Sequence, residues 1–220
     1  MAVSGSIDRQ SKAASAELIV DPKERADREA RNGLVQFDLV EKLIETHRHP
    51  DRPFRLRLSL ILGLHRAALD GISSYAENFR PAGVGIQGSG HEPPGAHLVP
   101  ELIEDMCDYV NTHLDRTAIH LSAYVLWRLN WIHPFDDVNG RTARALSYFL
   151  LCARLGYRLP GTKTIPELIS NNKTPYYEAL EAADKACEDG NVDVSELEKL
   201  ISDRLAAQLY GIHQQAVGEA

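Results

Sequence analysis

A stretch of twelve residues, 133–144, contains most of the side chains that could do chemistry together. It reads HPFDDVNGRTAR, with one histidine, two aspartates, an asparagine, a glycine and two arginines. A histidine with an unperturbed pKa of about 6.5 can accept a proton at neutral pH, and arginines bind phosphate oxygens. The stretch therefore predicts a site that holds a nucleotide phosphate and removes a proton beside it.

The sequences on either side of this stretch predict two buried helices, because apolar residues occupy nearly all their faces. His133 precedes a proline and is expected to end the first helix. Asn139 is expected to cap the second. Arg141 and Arg144 then project from one face of the first turn, at a helix N-terminus that attracts anions.

The stretch resembles the signature of the Fic family, HPFx(D/E)GNGRxxR. Eight residues match it in register: His133, Pro134, Phe135, Asp137, Asn139, Gly140, Arg141 and Arg144. Val138 departs from it, because the family has a glycine there. If residue 138 adopts a positive φ angle, a valine costs on the order of 1–2 kcal/mol.

The resemblance implies a protein adenylyltransferase, which transfers AMP from ATP to a Ser, Thr or Tyr hydroxyl of a target protein. It assigns His133 as the general base and Asp137 as the ligand of Mg²⁺. ATP and Mg²⁺ are therefore the expected substrate and cofactor. The phosphates are expected to contact Val138, Asn139, Gly140, Arg141 and Arg144.

Two alternatives are left open by the sequence. Fic-like proteins also transfer other groups, such as UMP, phosphate or phosphocholine, and the Doc-type branch acts as a kinase. Gly140 favours nucleotidyl transfer, because the Doc-type branch has a lysine at the corresponding position. The other alternative is a catalytically weak module that binds a nucleotide or a peptide, and Val138 motivates it.

Apolar residues recur at helical spacing in most segments, which predicts an all-α fold. Helices are expected at 22–47, 54–70, 98–113, 117–131, 143–156, from 174 and from 195. The segment from Gly156 to Asn172 is expected to be a loop. The resemblance implies a Fic-type helical bundle. We divide the chain into a flexible tail (1–21), an N-terminal helix (22–53) and a Fic catalytic core (54–215).

Residues 71–97 are rich in Gly, Pro and Ser and lack helical periodicity. Periodicity alone favours a surface loop over a short hairpin across residues 88–90. The Fic resemblance, to which Phe79-Arg80 and Pro93-Pro94 also contribute, favours the hairpin. It would be a β-hairpin flap that lies over the active site and pairs with the target main chain through Val84, Gly85, Ile86 and Gln87.

Many Fic proteins have an inhibitory helix with the pattern (S/T)xxxE(G/N), whose glutamate pairs with the second signature arginine. Residues 73–78 match this pattern. They lie just before the flap and not in a terminal helix, so we attribute the match to chance. Among the other histidines, His65 and His120 are expected to be structural, and His47 with His49 to lie in a solvated loop.

Composition limits the remaining classes of function. The net charge is −7, which argues against a general nucleic-acid-binding protein. No apolar run predicts a membrane span, no secretory signal is visible, and the three cysteines lack metal-site spacing. We expect a cytoplasmic protein that acts on a protein substrate. Export as an effector, a separate antitoxin-like inhibitor chain and a homodimer are left open.

Overall fold

A computed structural model of the protein describes residues 17–47, 54–161 and 163–217. These ranges are mostly helical, so the all-α prediction is confirmed. Within them no helix has the length and apolar character needed to cross a membrane. The helices are α1 Pro22–His47, α2 Leu58–Leu69, the 3₁₀-helix Ala96–Leu98, α3 Val99–Thr112, α4 Ala118–Ile132, α5 Asn139–Leu155, α6 Ile165–Asn171, α7 Thr174–Glu188 and α8 Ser195–Val217.

The centre of the fold is the packed pair α4 and α5, which are buried on almost every side. Small polar residues let them approach closely. Ser122 donates to Ser147 O at 2.9 Å, and the two hydroxyl oxygens are 2.8 Å apart. The turn that joins α4 to α5 carries residues 133–138, so the most buried elements of the protein hold the predicted site in place.

Helix α1 lies beside α2 and α5 and is attached by side-chain amides. Asn32 Nδ2 donates to Ala68 O at 3.1 Å, and Gln36 Nε2 donates to Leu64 O at 2.8 Å. Both amides are buried. Because buried hydrogen bonds are costly to leave unmade, they fix α1 along the body of the fold.

Helix α2 begins four residues later than predicted, at Leu58 and not at 54. Residues 54–57 are not helical. The reason is a pair of bonds from Asn111, whose Oδ1 accepts from Leu56 N at 2.8 Å and whose Nδ2 donates to Leu56 O at 2.9 Å. With both main-chain groups used, Leu56 has none left for a helical turn.

Helix α6 was not predicted, because its residues were expected to form a loop after Gly156. Pro166 lies in its first turn, where a proline is tolerated since its N–H would have no partner anyway. Ile165 and Ile169, four residues apart, are both buried. One buried apolar pair is enough to hold a helix of seven residues against the core but is too short a pattern to predict.

Residues 1–16 of the predicted tail (1–21) lie outside the described residues. From Glu17 onward the chain is attached to the turn after α2. Glu17 forms an isolated antiparallel bridge with Ser73, and Leu18 N donates to Ile72 O at 2.9 Å. Of the two histidines expected in a loop, His47 ends α1 and His49 lies outside the described residues.

Candidate active site

His133 is the residue at which α4 ends. Its backbone is left-handed, with φ 49° and ψ 58°, and its N–H donates to Leu129 O at 3.0 Å. Its ring atom Nδ1 lies 3.2 Å from Asn130 O. Because a carbonyl only accepts hydrogen bonds, Nδ1 carries the proton and the lone pair is on Nε2. His133 is thus arranged to accept a proton at Nε2.

Burial lowers the pKa of His133 below its usual value of 6.5. The bond to Asn130 O raises this pKa, whereas the neighbouring Arg80 and His91 lower it further. The net direction is downward, so the imidazole is neutral at pH 7. A general base must be in this form before it can take a proton.

A cavity of about 290 Å³ opens beside His133. One wall is fixed by His91, whose Nε2 lies 2.8 Å from Trp131 O. The cavity therefore presents aromatic, apolar and acidic side chains next to the candidate base. Its lining is Ile86, Gln87, Gly88, Ser89, His91, Asn130, Trp131, His133, Tyr177, Leu180, Glu181 and Asp184.

Residues 83–94, here called the flap segment, run along this cavity without forming a strand in the described chain. Ile86 and Gln87 line the cavity, whereas Val84 and Gly85 do not. A turn follows at residues 87–88, and Ser89 N donates to Ile86 O at 3.2 Å. The predicted hairpin ladder is not seen, and the prolines at 93 and 94 have no N–H to donate to one.

Asn139 shapes the turn between α4 and α5 from inside. Its Oδ1 accepts from Phe135 N at 2.9 Å, and its Nδ2 donates to Phe135 O at 2.9 Å. The residue before α5 is Val138, which provides no side-chain cap. The prediction that Asn139 caps α5 is therefore wrong, because Phe135 takes both of its polar groups.

Val138 adopts the left-handed conformation that the sequence analysis identified as costly, with φ 52° and ψ 21°. Glycine reaches this region without a steric penalty, whereas a β-branched residue is strained there. Gly140 does not have a positive φ, and the space around it is limited only by the flexible end of Arg144. A Cβ added there would lie 3.3 Å from Arg144 Nη1 and 3.8 Å from Asn130 Oδ1.

Arg141 and Arg144 lie on one face of α5, as predicted, and line a second cavity of about 590 Å³ between α1, α5 and α6. Lys173 lines the same cavity. Arg141 Nη1 is buried and has no hydrogen-bond partner within the described residues. Buried donors are nearly always paired, so this cationic cavity has a free donor for an anionic ligand.

Asp137 is half exposed at the surface of the turn. Its Oδ1 accepts from Val138 N at 2.7 Å, and its Oδ2 lies 2.9 Å from Arg25 Nη2. In the described part of the chain no group of three or more His, Cys, Asp or Glu residues could hold a metal ion. Mg²⁺ on a nucleotide needs only one or two carboxylates, since phosphates and water complete its shell. Asp137 fits that donor set.

The histidines expected to be structural are packed and hydrogen-bonded. His65 is fully buried and stacks on Phe135, with ring centroids 3.7 Å apart, and its Nδ1 accepts from Glu77 N at 3.1 Å. Burial lowers the pKa of His65 to about 4. His120 Nδ1 lies 2.6 Å from Glu198 Oε1. His120 supports the fold away from the predicted chemistry, whereas His65 packs against the signature turn through Phe135.

The match to the inhibitory pattern at residues 73–78 does not reach the signature arginines. Its glutamate is Glu77, whose Oε2 lies 3.2 Å from Arg66 Nη1 on α2. Glu77 itself has a positive φ of 62° in a turn, not in a helix. These contacts agree with the interpretation that the match arises by chance.

Two arginines outside the signature contact the site, and sequence analysis assigned a role to neither. Arg25, on α1, pairs with Asp137 across 112 positions of sequence, and no local pattern marks such a pair. Arg80 is 3% exposed and donates from Nε to His133 O at 2.7 Å. Its only sequence signal was its place next to Phe79, before the flap segment.

The family model for the Fic/DOC family matches residues 55–151, which include α2 and most of α5. Residues 55–151 of this chain are a Fic/DOC-family domain. The Protein adenylyltransferase Fic of Drosophila willistoni is 29% identical to this chain over 158 residues, or 70% of the chain. The match covers 29% of that relative, so this chain spans less than a third of its length.

Solved Fic structures share the fold. A Fic domain containing signaling protein from Bacteroides thetaiotaomicron superposes with a TM-score of 0.71 at 21% identity, covering 97% of this chain and 79% of that one. The BepC protein of Bartonella tribocorum, solved with bound AMPPNP, gives a TM-score of 0.51 at 17% identity. It covers 84% of this chain and 88% of the Bartonella chain.

Proposed function

We propose that this protein is a Mg²⁺-dependent protein adenylyltransferase that transfers AMP from ATP to a hydroxyl side chain of a target protein. The observation that carries the proposal is the state of His133. Its imidazole is neutral, its Nδ1 is held by Asn130 O and its Nε2 can accept a proton. It lies at the end of α4, next to the turn that is proposed to bind phosphate. The adenylyltransferase name of the Drosophila relative supports this class of reaction.

His133 acts as the general base in the proposed step. A Ser, Thr or Tyr hydroxyl is a weak nucleophile until its proton is removed. His133 Nε2 takes that proton as the hydroxyl oxygen forms a bond to the α-phosphorus of ATP. The bond between the α-phosphorus and the bridging oxygen breaks, pyrophosphate leaves, and AMP stays on the target. Catalysis of such a step is mainly positioning and charge stabilisation.

The phosphates are bound at the start of α5 in this proposal. The first N–H groups of a helix have no partner within it and attract anions, which assigns the main chain of Val138, Asn139 and Gly140 to phosphate binding. Val138 N–H must first leave Asp137 Oδ1, to which it donates at 2.7 Å. Arg141 and Arg144 provide positive charge from one face. The unpartnered Arg141 Nη1 supports this assignment, because a phosphate oxygen would satisfy it.

Asp137 is the residue that would hold Mg²⁺ beside these phosphates. The bound ion would neutralise part of the phosphate charge. Asp137 must exchange its contact with Arg25 for the metal, since Oδ2 now lies 2.9 Å from Arg25 Nη2. The side chain is half exposed, so the exchange does not require the fold to open.

The cavity beside His133 takes the nucleoside part of ATP, and the flap segment takes the target. The cavity has the apolar character that an adenine ring needs, which it owes to Tyr177, Trp131 and Leu180. AMPPNP in the Bartonella protein supports an adenine nucleotide as the ligand. Residues 84–86 belong to no helix or strand, and we propose that residues 84–87 pair with the main chain of the target as a β-hairpin flap does.

A separate inhibitor chain would fit the cationic cavity. Leu34 and Phe37 of α1 line its edge with 69% and 36% exposure, and Arg141, Arg144 and Lys173 line it as well. An amphipathic segment carrying a carboxylate would complement both features. Its binding would compete with ATP for the two signature arginines.

Two observations favour the alternative of a nucleotide-binding module without turnover. Arg25 occupies the carboxylate that the metal needs, and Val138 strains the phosphate turn. Such a module would bind ATP, as measured by calorimetry, but would yield no modified protein. The two functions are therefore separated by product formation and not by binding.

Peptide mass spectrometry tests the proposal. The protein is incubated with ATP, Mg²⁺ and cell lysate, and tryptic peptides are searched for an AMP increment on Ser, Thr or Tyr. We expect modified peptides with the wild type and with His113→Ala, a histidine that stacks on Tyr109, and none with His133→Ala. Modification that persists in His133→Ala would refute His133 as the base.

A further inference from the structure

Arg80 is a buried cation without a buried anion. Its side chain is 3% exposed, and within the described residues it pairs with no carboxylate. Burial lowers the pKa of Arg80 from its usual value. An arginine in such a place is expensive to bury unless its donors are satisfied, so the acceptors it contacts show why the fold keeps it.

Its acceptors include three consecutive carbonyls at the turn of the candidate base. Arg80 Nη2 donates to Ile132 O at 3.4 Å, Nε donates to His133 O at 2.7 Å, and the main-chain N–H of Arg80 donates to Pro134 O at 2.9 Å. These carbonyls follow the end of α4, where helices leave acceptors without partners. Arg80 therefore completes the hydrogen bonding of the left-handed turn at His133.

The same guanidinium joins both ends of the flap segment to that turn. Arg80 Nη1 donates to Ala82 O at 2.9 Å, just before the segment, and Nη2 donates to Pro94 O at its end. Only the planar fork of an arginine can reach carbonyls in several directions at once; a lysine is a single point charge. One side chain thus connects the base with the segment that lies over the cavity.

We propose that Arg80 is the positioning residue of this site, which holds the His133 turn in its left-handed form and anchors both ends of the flap segment across the cavity. It touches neither ATP nor target and acts through His133 and the flap segment. The inference rests on the proposed function for the role of His133 as base. The geometry of the clamp itself does not depend on that role.

The charge of Arg80 has a separate consequence from its hydrogen bonds. A fixed positive charge next to an imidazole disfavours protonation of the ring, and Arg80 contributes to the lowered pKa of His133. Replacing arginine with lysine keeps the charge and loses the fork. Replacing it with glutamine loses both, so the two variants separate positioning from electrostatics.

The test compares Arg80→Lys and Arg80→Gln with Arg154→Lys and Arg154→Gln. Arg154 is a matched control, because it is partly buried and its Nη2 donates to a main-chain carbonyl, Leu114 O, at 2.6 Å near the other end of α5. The readouts are hydrogen exchange of residues 83–94, the His133 pKa by NMR titration, and kcat for transfer against the calorimetric Kd for ATP.

We expect the main-chain amides of residues 83–94 to exchange at least about tenfold faster in both Arg80 variants than in the wild type. The kcat should fall by about a hundredfold, as for a misplaced catalytic group, and the Kd for ATP should rise by a much smaller factor, because flap residues form only part of the proposed nucleoside cavity. The His133 pKa should rise in Arg80→Gln and stay low in Arg80→Lys. The Arg154 variants should change none of these readouts relative to the wild type.

Unchanged exchange and unchanged His133 pKa in both Arg80 variants would overturn the inference. If these two readouts respond but the wild type transfers nothing, the clamp stands and the proposed function fails. If transfer depends on His133 but not on Arg80, the function stands and the clamp fails. Should both variants unfold, exchange of the wild-type Arg80 Nε–H decides: we expect it to be slow, and an exchange rate like that of the exposed Arg66 would contradict the clamp.

Discussion

Arg25 Nη2 lies 2.9 Å from Asp137 Oδ2, so the first helix contacts the carboxylate that is proposed to bind Mg²⁺. Arg25 is itself held by Glu29, at 2.9 Å, and by Glu17, at 3.4 Å. Three carboxylates thus share one guanidinium at the edge of the site. A divalent cation must displace this contact to reach Asp137, which makes the pair a measurable feature of the metal site.

Removing this arginine should strengthen metal binding. Exposed ion pairs contribute about 0.2–1 kcal/mol, which corresponds to an increase of up to about fivefold in affinity when Arg25→Ala frees Asp137. The measurement is Mn²⁺ binding by electron paramagnetic resonance with a non-hydrolysable ATP analogue present. Arg66→Ala, which breaks the pair with Glu77 on the surface, is the control and should leave the affinity unchanged. Equal affinities in all three proteins would argue against Asp137 as the metal ligand.

The strain at Val138 predicts an unusual order of stability. At φ 52° a glycine escapes the penalty that a Cβ causes, so Val138→Gly should be more stable than Val138→Ala by about 1 kcal/mol. Urea denaturation measures both. The same pair of substitutions at Val192, which is exposed and not among the positive-φ residues of the described chain, should show the opposite order. If the alanine variant were more stable than the glycine variant at both positions, Val138 would not be strained.

Protonation of His65 should weaken the fold in mild acid. Its folded-state pKa is about 4 against 6.5 for a free histidine, so the unfolded chain binds more protons between these values. The free energy of unfolding should therefore fall as the pH falls from 6.5 to 4, by up to about 3 kcal/mol from this residue. Because His65 stacks on Phe135, this loss of stability affects the packing beneath the signature turn.

Urea unfolding of the wild type, His65→Asn and His113→Asn across this pH range measures the effect. The free energy of unfolding should depend much less on pH in His65→Asn, since asparagine does not titrate, whereas His113→Asn should show the same pH dependence as the wild type. The same pH dependence in all three proteins would show that other groups cause the acid sensitivity.

The parts of the site that are local in sequence could be predicted, and the parts that join distant segments could not. Residues 133–144 are contiguous, so their types and spacing alone predict a candidate base and a phosphate turn, and the family resemblance adds the expected strain at Val138. The contact between Arg25 and Asp137 spans 112 positions. Arg80 is a charged residue that the fold buries, against the usual preference of arginine for the surface.

Two segments, helix α6 and the flap segment, were assigned wrongly because their own sequence carries too little pattern. Helix α6 contains too few apolar residues to show periodicity, and it is held by the burial of Ile165 and Ile169. The flap segment forms no ladder in the described chain, and its glycines and prolines favour turns over strand pairing. Both segments depend on tertiary contacts, which a sequence pattern does not contain.

Transfer of label from ATP tests the central claim most directly. ATP labelled at the α-phosphate and, separately, at the γ-phosphate is incubated with Mg²⁺, lysate and either the wild type or His133→Ala. The account predicts protein-bound label from the α position only, absent with His133→Ala. Label from the γ position only would show a kinase, and no label from either position despite ATP binding by calorimetry would show a module without turnover.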